Sequence, residues 1–179
     1  IRHGLWIVAD EIYEHLVFGG LEVPSIASLG KDVFEQTITI NGCSKSYAMT
    51  GWRLGYAAAP LPVAKAMSNL QDQVTSGPTS FVQKGAIAAL EMPLDVVEAM
   101  RTEFDARRQL IVRLLREIPK LKVPEPHGAF YVFPDFSAYL GGQFATDEDL
   151  ATYLLVEGRV ATVPGSVFEG AGHLRMSYA

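Results

Sequence analysis

The chain has 179 residues, of which 49% are hydrophobic and 20% are charged, so it is long enough for one globular domain or for one domain and part of another. Its formal net charge of −5 gives no reason to expect nucleic acid or an anionic membrane as a partner. No apolar run approaches the roughly 20 residues of a membrane span, and the single cysteine, Cys43, favours a reducing compartment such as the cytoplasm.

The first half of the sequence alternates short apolar runs with helical patterns. We predict strands over Leu5–Ala9, Gln36–Ile40 and Leu54–Ala59, and helices over residues 62–73 and 79–91. Because the apolar runs are continuous rather than alternating, they favour a sheet that helices cover on both faces.

A longer helical pattern follows, from Pro93 to about Ile118. A helix of about 25 residues spans roughly 37 Å and is long enough to connect two domains. Beyond it we predict a smaller α+β domain with a helix that Thr146 caps. Its elements are the strands Leu121–Val123, Ala129–Phe133, Val160–Val163 and Leu174–Tyr178 and the helix Thr146–Glu157. Strand-like patterns at both ends lead us to expect a piece cut from a longer protein.

Lys45 is the main candidate for chemistry. It follows the apolar run 37–42, and Arg53 stands eight residues later. A lysine at the end of a buried strand is costly unless its amine is needed there, and a positioned amine often forms a Schiff base with a carbonyl, as in pyridoxal phosphate. Arg53 suits a phosphate because its guanidinium donates two parallel hydrogen bonds. Ser44 and Ser46 are further phosphate donors or turn caps; a solvated lysine and a salt-bridging arginine are the alternatives.

Asp10 ends the first predicted strand, and Tyr13 follows three residues later. Because ligands of open α/β sheets bind at the carboxyl ends of strands, Asp10 is a candidate partner of a protonated pyridine nitrogen. Tyr13 is placed to reach the phenolic oxygen of the same cofactor. A turn cap for Asp10 and a packed surface aromatic for Tyr13 stay open at this point. Glu11 should point away from Asp10 and is interpreted as structural.

Arg175 lies in the last predicted strand, between Leu174 and Met176. A buried arginine needs an anionic partner, and a substrate carboxylate and an internal acidic side chain satisfy that need equally well. The segments 128–131 and 164–166 carry glycines that suit a pocket wall.

The remaining special residues are interpreted as structural. We expect Trp6 and Trp52 in the core and Cys43 as a small buried hydrophobe. His3 and His127 lack metal-ligand spacing, and no zinc cluster, Walker loop or Ser/His/Asp pattern is present. No metal site is therefore expected.

Taken together, these segments resemble the fold-type I pyridoxal-phosphate aminotransferases, in the class I and II branch that contains the bacterial aspartate aminotransferases. The resemblance runs over nearly the whole chain and is carried by Ala9–Tyr13, Asn41–Tyr56, Gly128–Tyr131, Val163–Ser166 and His173–Ala179. It implies an α/β fold in three parts. These are part of a mostly parallel-sheet large domain (residues 1–95), a long interdomain helix (96–118) and a truncated small α+β domain (119–179).

The resemblance also implies roles for the candidate residues. Lys45 carries the Schiff base with pyridoxal 5'-phosphate and shuttles a proton between the substrate Cα and the cofactor C4′. Asp10 pairs with the pyridine nitrogen, Tyr13 with the phenolic oxygen and Arg53 with the phosphate. Arg175 takes the substrate α-carboxylate.

One position departs from part of the family. Some members have a serine three residues before the lysine that assists the phosphate. This chain has Gly42 there, which leaves Ser44 as the nearer candidate.

The function implied is an amino-acid aminotransferase of the aspartate/2-oxoglutarate type, acting on amino acids and 2-oxo acids as a cytoplasmic homodimer. Relatives that act on prephenate, aromatic amino acids or alanine leave the donor open. Much of the specificity lies in an N-terminal part that this sequence lacks, with the glycine-rich phosphate loop and the stacking aromatic ring, so we expect the chain alone to be inactive.

Two other readings compete with an aminotransferase. A carbon–sulfur lyase or an aminocyclopropane carboxylate synthase-like enzyme of the same fold keeps the lysine and both arginines. A catalytically inactive relative has no reason to keep the five residues Asp10, Tyr13, Lys45, Arg53 and Arg175 together.

Overall fold

Residues 2–179 are described by a computed structural model, and their contacts divide the chain into two units, Ile1–Ala99 and Met100–Ala179. The division lies within the long helix α4 (Asp95–Arg116), which occupies most of the predicted 93–118 segment. The three-part domain assignment made from the sequence stays a prediction.

The first unit contains a three-stranded sheet of β1 (Ile7–Asp10), β2 (Thr37–Gly42) and β3 (Gly55–Ala58), in the order β1-β2-β3. All three predicted strands are present, with ends shifted by one or two residues. β1 and β2 are parallel with Asp10 opposite Ile40, whereas β2 and β3 are antiparallel. The carboxyl ends of β1 and β2 therefore meet at one edge of the sheet.

Three helices complete this unit: α1 (Lys31–Phe34), α2 (Leu61–Val74) and α3 (Ser80–Glu91). The last two confirm the predicted helices, and the proline in the first turn of α2 suits that position. Buried Ala86 and Ala89 of α3 pack with Cys43 and Met49, so Cys43 is the buried small residue that was expected.

Two expectations about burial in this unit are wrong. The sheet is not covered on both faces within residues 2–179, because Val8 is 63% exposed and Tyr56 is 43% exposed. The two tryptophans lie outside the core, with Trp6 56% and Trp52 45% exposed. Their positions explain this: Trp6 precedes the edge strand β1, and Trp52 lays one side of its ring against Gly85 of α3.

The second unit contains a small antiparallel sheet of β4 (Tyr131–Val132), β5 (Val163–Pro164) and β6 (Leu174–Ser177), in the order β4-β6-β5. Helix α5 (Asp147–Val156) begins with the expected Thr146 cap. A hydrophobic core packs α4 and α5 against this sheet. Its buried members are Val112, Leu115, Leu121, Val132, Phe136, Leu150, Ala151 and Leu174.

The sequence predicts more β-strand in this unit than the structure contains. Residues 121–123 form an isolated bridge, between Lys122 and Asp135, rather than a strand. The strands expected over 129–133 and 160–163 have only two residues each in the structure, Tyr131–Val132 and Val163–Pro164. Ala129, within the first of these segments, and Arg159, directly before the second, have φ values of 58° and 54°, and residues with this left-handed backbone cannot take part in extended pairing.

Within residues 2–179, no helix is long and apolar enough to cross a membrane. The same residues contain no group of three or more His, Cys, Asp or Glu side chains that could hold a metal ion.

Candidate functional site

Three of the predicted site residues lie at the edge where β1 and β2 end. Asp10 is the last residue of β1, and its Oδ1 accepts a hydrogen bond from the backbone N–H of Ile12 at 3.2 Å. The Nζ atom of Lys45, in the turn after β2, lies 5.7 Å from the centroid of the Tyr13 ring. The parallel pairing of the two strands thus brings a carboxylate, a phenol and an amine to one edge.

A buried amide joins the two segments that carry these residues. Asn41 donates from Nδ2 to Oε1 of Glu14 at 2.6 Å, and its Oδ1 accepts from the backbone N–H of Gly42 at 2.7 Å. Glu14 directly follows Tyr13, and Asn41 lies four residues before Lys45. The Asn41–Glu14 hydrogen bond therefore fixes the loop that follows β1 and carries Tyr13 (the β1 loop) against the turn that follows β2 and carries Lys45 (the lysine turn).

Gly42 allows the backbone to pass closely through this region. A Cβ atom at this position would lie 2.9 Å from the carbonyl oxygen of Leu54 and 3.3 Å from Cδ1 of Ile12. Any larger residue must shift one of these segments. The serine that some family members carry at this position does not fit this backbone without such a shift.

The two serines flanking Lys45 differ in exposure. Ser44 is half-buried, whereas Ser46 is 2% exposed. Within residues 2–179 the Ser46 hydroxyl has no hydrogen-bond partner, and it is shielded from any ligand in solvent. Ser44 is consequently the better placed of the two to meet a phosphate.

Arg53 is held in an unusual backbone conformation. Its φ of 53° is left-handed, and it ends the short 3-10 helix Thr50–Trp52. Its Nη1 donates to the carbonyl oxygen of Thr50 at 2.8 Å, and the side chain borders an open groove of about 1180 Å³. Asp10, Tyr13 and Lys45 are not among the residues that line this groove, but Ile40, which pairs with Asp10, and Asn41 are.

The thiol and the two phenols near the lysine turn have raised pKa values. Burial raises the pKa of the Cys43 thiol, which keeps it protonated. Burial also raises the pKa of Tyr47 and of Tyr56, and the nearby Cys43 and Glu14 raise both pKa values further. The two phenols are therefore neutral at physiological pH.

These groups match the chemistry of pyridoxal phosphate. An amine condenses with its carbonyl, a carboxylate pairs with its ring nitrogen, a phenol donates to its phenolic oxygen, and a guanidinium with a hydroxyl suits its phosphate. Lys45, Asp10, Tyr13, Arg53 and Ser44 provide one group for each of these contacts. The donor set of the first unit therefore fits this cofactor.

Arg175 lies in β6 of the second unit, in contact with two aromatic rings. Its guanidinium carbon is 4.6 Å from the ring centroid of Tyr131 and 4.6 Å from that of Phe168. Within residues 2–179 Arg175 forms no ion pair with an acidic side chain. The internal acid that the sequence left open as its partner is not found among these residues.

Arg108, in α4, is a buried arginine with acidic partners. It is 8% exposed and donates to Asp105 Oδ1 and Glu125 Oε1, both at 2.7 Å. Although burial alone would lower the pKa of Arg108, its hydrogen bonds and ion pairs with Asp105 and Glu125 raise it.

Tyr178, just after β6, is a buried phenol of the same unit. Burial raises the pKa of Tyr178 to about 12, so its hydroxyl remains a donor to the carbonyl oxygen of Ala129.

Sequence reasoning missed three of these residues: Glu14, Asn41 and Phe168. Asn41 had one usable signal, a polar residue near the carboxyl end of a buried strand, where ligands and polar contacts gather. Phe168 had none, because an exposed phenylalanine in a single 3-10 turn has no characteristic spacing. Glu11 has the structural role expected, since its Oε1 accepts from Ser25 Oγ at 2.9 Å and from the Ile26 N–H at 3.1 Å.

Comparison with known proteins adds a family match. The family described as aminotransferase class I and II matches residues 1–179. The chain is 46% identical to a probable aspartate/prephenate aminotransferase from Aquifex aeolicus (strain VF5) and 47% identical to an aspartate aminotransferase from Geobacillus stearothermophilus. It is covered completely in both cases and covers 46% of each relative.

A solved structure extends the match to the fold. The crystal structure of the aspartate aminotransferase from Rhizobium meliloti superposes with a TM-score of 0.93 at 40% identity, over 99% of this chain and 46% of that chain. The chain thus spans about half the length of the relatives it matches.

Proposed function

This chain belongs to the class I and II aminotransferases, and we propose that it forms the lysine-bearing part of a pyridoxal-phosphate-dependent aspartate aminotransferase. The observation that carries the proposal is the meeting of Asp10, Tyr13 and Lys45 at one sheet edge, with the Lys45 amine 5.7 Å from the Tyr13 ring. The names of the relatives, at about 46% identity, favour aspartate as donor.

In this proposal five residues hold the cofactor. Lys45 binds it through its amine, Asp10 accepts a hydrogen bond from the protonated ring nitrogen, and Tyr13 donates to the phenolic oxygen. Arg53 and Ser44 bind the phosphate. Once bound, the cofactor supplies a carbonyl that condenses with amines and a ring that accepts electron density.

The chain's own residues then divide the work on the substrate. With the cofactor bound, Lys45 Nζ would take the proton from the substrate Cα and pass it to the cofactor C4′, which requires an amine close to that carbon. The charge of Asp10 keeps the ring nitrogen protonated, since an adjacent carboxylate stabilises a cation. Arg175 binds the α-carboxylate with two parallel hydrogen bonds, which agrees with its lack of an acidic partner within residues 2–179.

The same proposal includes a homodimer in the cytoplasm. The single, buried cysteine suits a reducing compartment. Light scattering of the full-length protein tests the dimer, and a mass equal to one chain contradicts it.

A half-reaction screen tests the function. The full-length protein loaded with pyridoxal phosphate is mixed with single amino acids, and the 2-oxo acid released is measured. We expect aspartate to give stoichiometric oxaloacetate. Release of ammonia or of a thiol instead would identify a lyase and contradict the proposal.

Lys45→Ala provides the residue-specific arm of this screen. It removes both the covalent attachment and the base, so we expect the rate to fall at least about 100-fold. The exposed Lys65 in α2 is the matched control, because Lys65→Ala removes an equal charge from the same unit. Equal rates for the two variants would contradict the role of Lys45.

A further inference from the structure

Arg175 is held in the second unit by an aromatic pair, Tyr131 and Phe168. Both ring centroids lie 4.6 Å from its guanidinium carbon, well within the roughly 6 Å range of cation–π contacts. Tyr131 is on β4, which pairs with β6, and Phe168 ends a 3-10 helix just after β5. The two rings thus come from different segments and converge on one cation.

This arrangement differs from that of Arg108 in the same unit. Arg108 directs its N–H groups to Asp105, Glu125 and the carbonyl oxygen of Pro126. Arg175 instead contacts ring faces, which engage the flat surface of a guanidinium and leave the N–H groups at its edge available. A guanidinium held in this way can present two parallel donors to a carboxylate.

The turn that carries Phe168 is fixed by buried polar contacts. Asp147 is 4% exposed, and its Oδ2 accepts from the backbone N–H of Ser166 at 2.8 Å. Gly165 donates to the carbonyl oxygen of His173 at 2.7 Å, and a Cβ atom at Gly165 would lie 2.8 Å from that same oxygen. The 3-10 helix Gly165–Phe168 is therefore tied both to α5 and to the segment that precedes Arg175.

A third ring, that of Phe133, contacts one member of the aromatic pair. Phe133 contacts Phe168 edge to face at a centroid distance of 6.3 Å and stacks on His173 at 4.9 Å. Phe168 is 46% exposed although several groups fix its position. An exposed aromatic side chain that is fixed in this way is suited to a ligand-facing role more than to core packing.

We propose that Tyr131 and Phe168 are positioning residues, which hold the Arg175 guanidinium plane so that its N–H edge meets the α-carboxylate of the substrate. This inference rests on the proposed function, because it assumes that Arg175 binds that carboxylate. It adds a physical reason for the affinity: the aromatic pair orients the cation without occupying its donors. Loss of one ring should weaken carboxylate binding about 3- to 30-fold.

The experiment measures binding rather than turnover alone. The probe is 2-methylaspartate, which has no Cα proton to remove, compared with its α-carboxamide, which lacks the negative charge. Dissociation constants of both compounds are determined for the full-length, cofactor-loaded protein and for Phe168→Leu, Tyr131→Leu, Tyr131→Phe and Arg175→Ala. Phe144→Leu is the matched control, since the Phe144 ring packs on Tyr153 at 5.0 Å in the same unit and does not contact Arg175.

We expect Phe168→Leu and Tyr131→Leu to raise the dissociation constant of 2-methylaspartate about 3- to 30-fold and to leave that of the carboxamide unchanged. Tyr131→Phe keeps the ring and should recover most of the affinity, and Phe144→Leu should bind both compounds as the parent does. For aspartate turnover the two leucine variants should raise KM more than they lower kcat.

Two results would overturn the inference and leave the proposed function standing. The first is that both leucine variants bind 2-methylaspartate as tightly as the parent protein, whereas Arg175→Ala no longer binds it. The other is an equal loss for acid and carboxamide, which indicates a general loss of structure. Unchanged acid binding in Arg175→Ala would instead contradict the proposed role of Arg175 itself, and with it the inference.

Discussion

The carboxylate of Asp135 should stabilise the second unit in a pH-dependent way. Its Oδ1 accepts a hydrogen bond from the Ser137 backbone N–H at 2.9 Å, and its Oδ2 accepts one from Lys122 Nζ at 3.3 Å. The Ser137 hydroxyl also hydrogen-bonds to this carboxylate. These contacts lower the pKa of Asp135 from 3.8 to about 2. The Asp135 backbone also bridges to His173, two residues before Arg175, so its turn supports the strand that carries the proposed carboxylate ligand.

The direction of the pH effect follows from the lowered pKa. A group whose pKa is lower in the folded state stabilises the protein above its unfolded pKa and loses that effect as the pH falls through the folded pKa. A shift of almost two units is worth about 2 kcal/mol at roughly 1.36 kcal/mol per unit, and Asp135 is shielded enough to keep most of it, with 20% of its side chain exposed. About half of this stabilisation should remain near pH 3.

Asp135→Asn tests this effect because it keeps the Oδ1 acceptor and removes the charge. In the full-length protein we expect the free energy of unfolding in urea to fall by about 2 kcal/mol at neutral pH and by about 1 kcal/mol near pH 3. Hydrogen exchange of the β6 amides assigns the loss to this unit. The exposed Glu148 is the control, and Glu148→Gln should change stability by no more than a few tenths of a kcal/mol. A loss that does not depend on pH, or no loss at neutral pH, would refute the reasoning.

Three further substitutions test other parts of the account. Asn41→Ala should weaken pyridoxal phosphate binding, measured by equilibrium dialysis, because it frees the β1 loop from the lysine turn; affinity equal to that of the exposed control Asn69→Ala would argue against this coupling. Thr146→Ala should cost about 1 kcal/mol in urea unfolding, since Thr146 and Asp149 cap α5 reciprocally; an unchanged midpoint would show that the cap contributes nothing. Leu174→Ala should cost about 2–5 kcal/mol because the side chain is completely buried, and a smaller loss would indicate that the core closes around the gap.

The sequence predicted the strands and the two longer helices of the first unit well, because its strands are short continuous apolar runs and these helices have regular apolar spacing. It failed on burial there: the same apolar runs predicted a covered sheet, yet Val8 and Trp6 are more than half exposed in the described residues. Apolar character shows that a surface favours burial but does not show which segment covers it.

The second unit was harder for a physical reason. Strand patterns near residues 121–133 are interrupted by left-handed residues such as Lys120 and Ala129, with φ values of 64° and 58°. Neither lysine nor alanine favours that conformation, so nothing local signalled the break; the tertiary contacts impose it.

The candidate site was predictable in its charged members and unpredictable in its supporting ones. Lys45, Asp10 and Arg53 stand out because each places a charge beside an apolar run. Asn41 acts through a contact with Glu14, 27 residues away in sequence, and Phe168 through a contact with Arg175, seven residues away on another element. Such pairings are decided by the fold, and a single sequence does not contain them as a pattern.

The central claim is that Lys45 forms the covalent bond to the cofactor. The most direct measurement is reduction of the cofactor-loaded, full-length protein with borohydride, followed by peptide mass mapping, because borohydride fixes an amine-linked cofactor onto its lysine. We expect one adduct, on Lys45, and no adduct on the exposed Lys65 of the same unit. An adduct on any other lysine, or no covalent adduct at all, would contradict it.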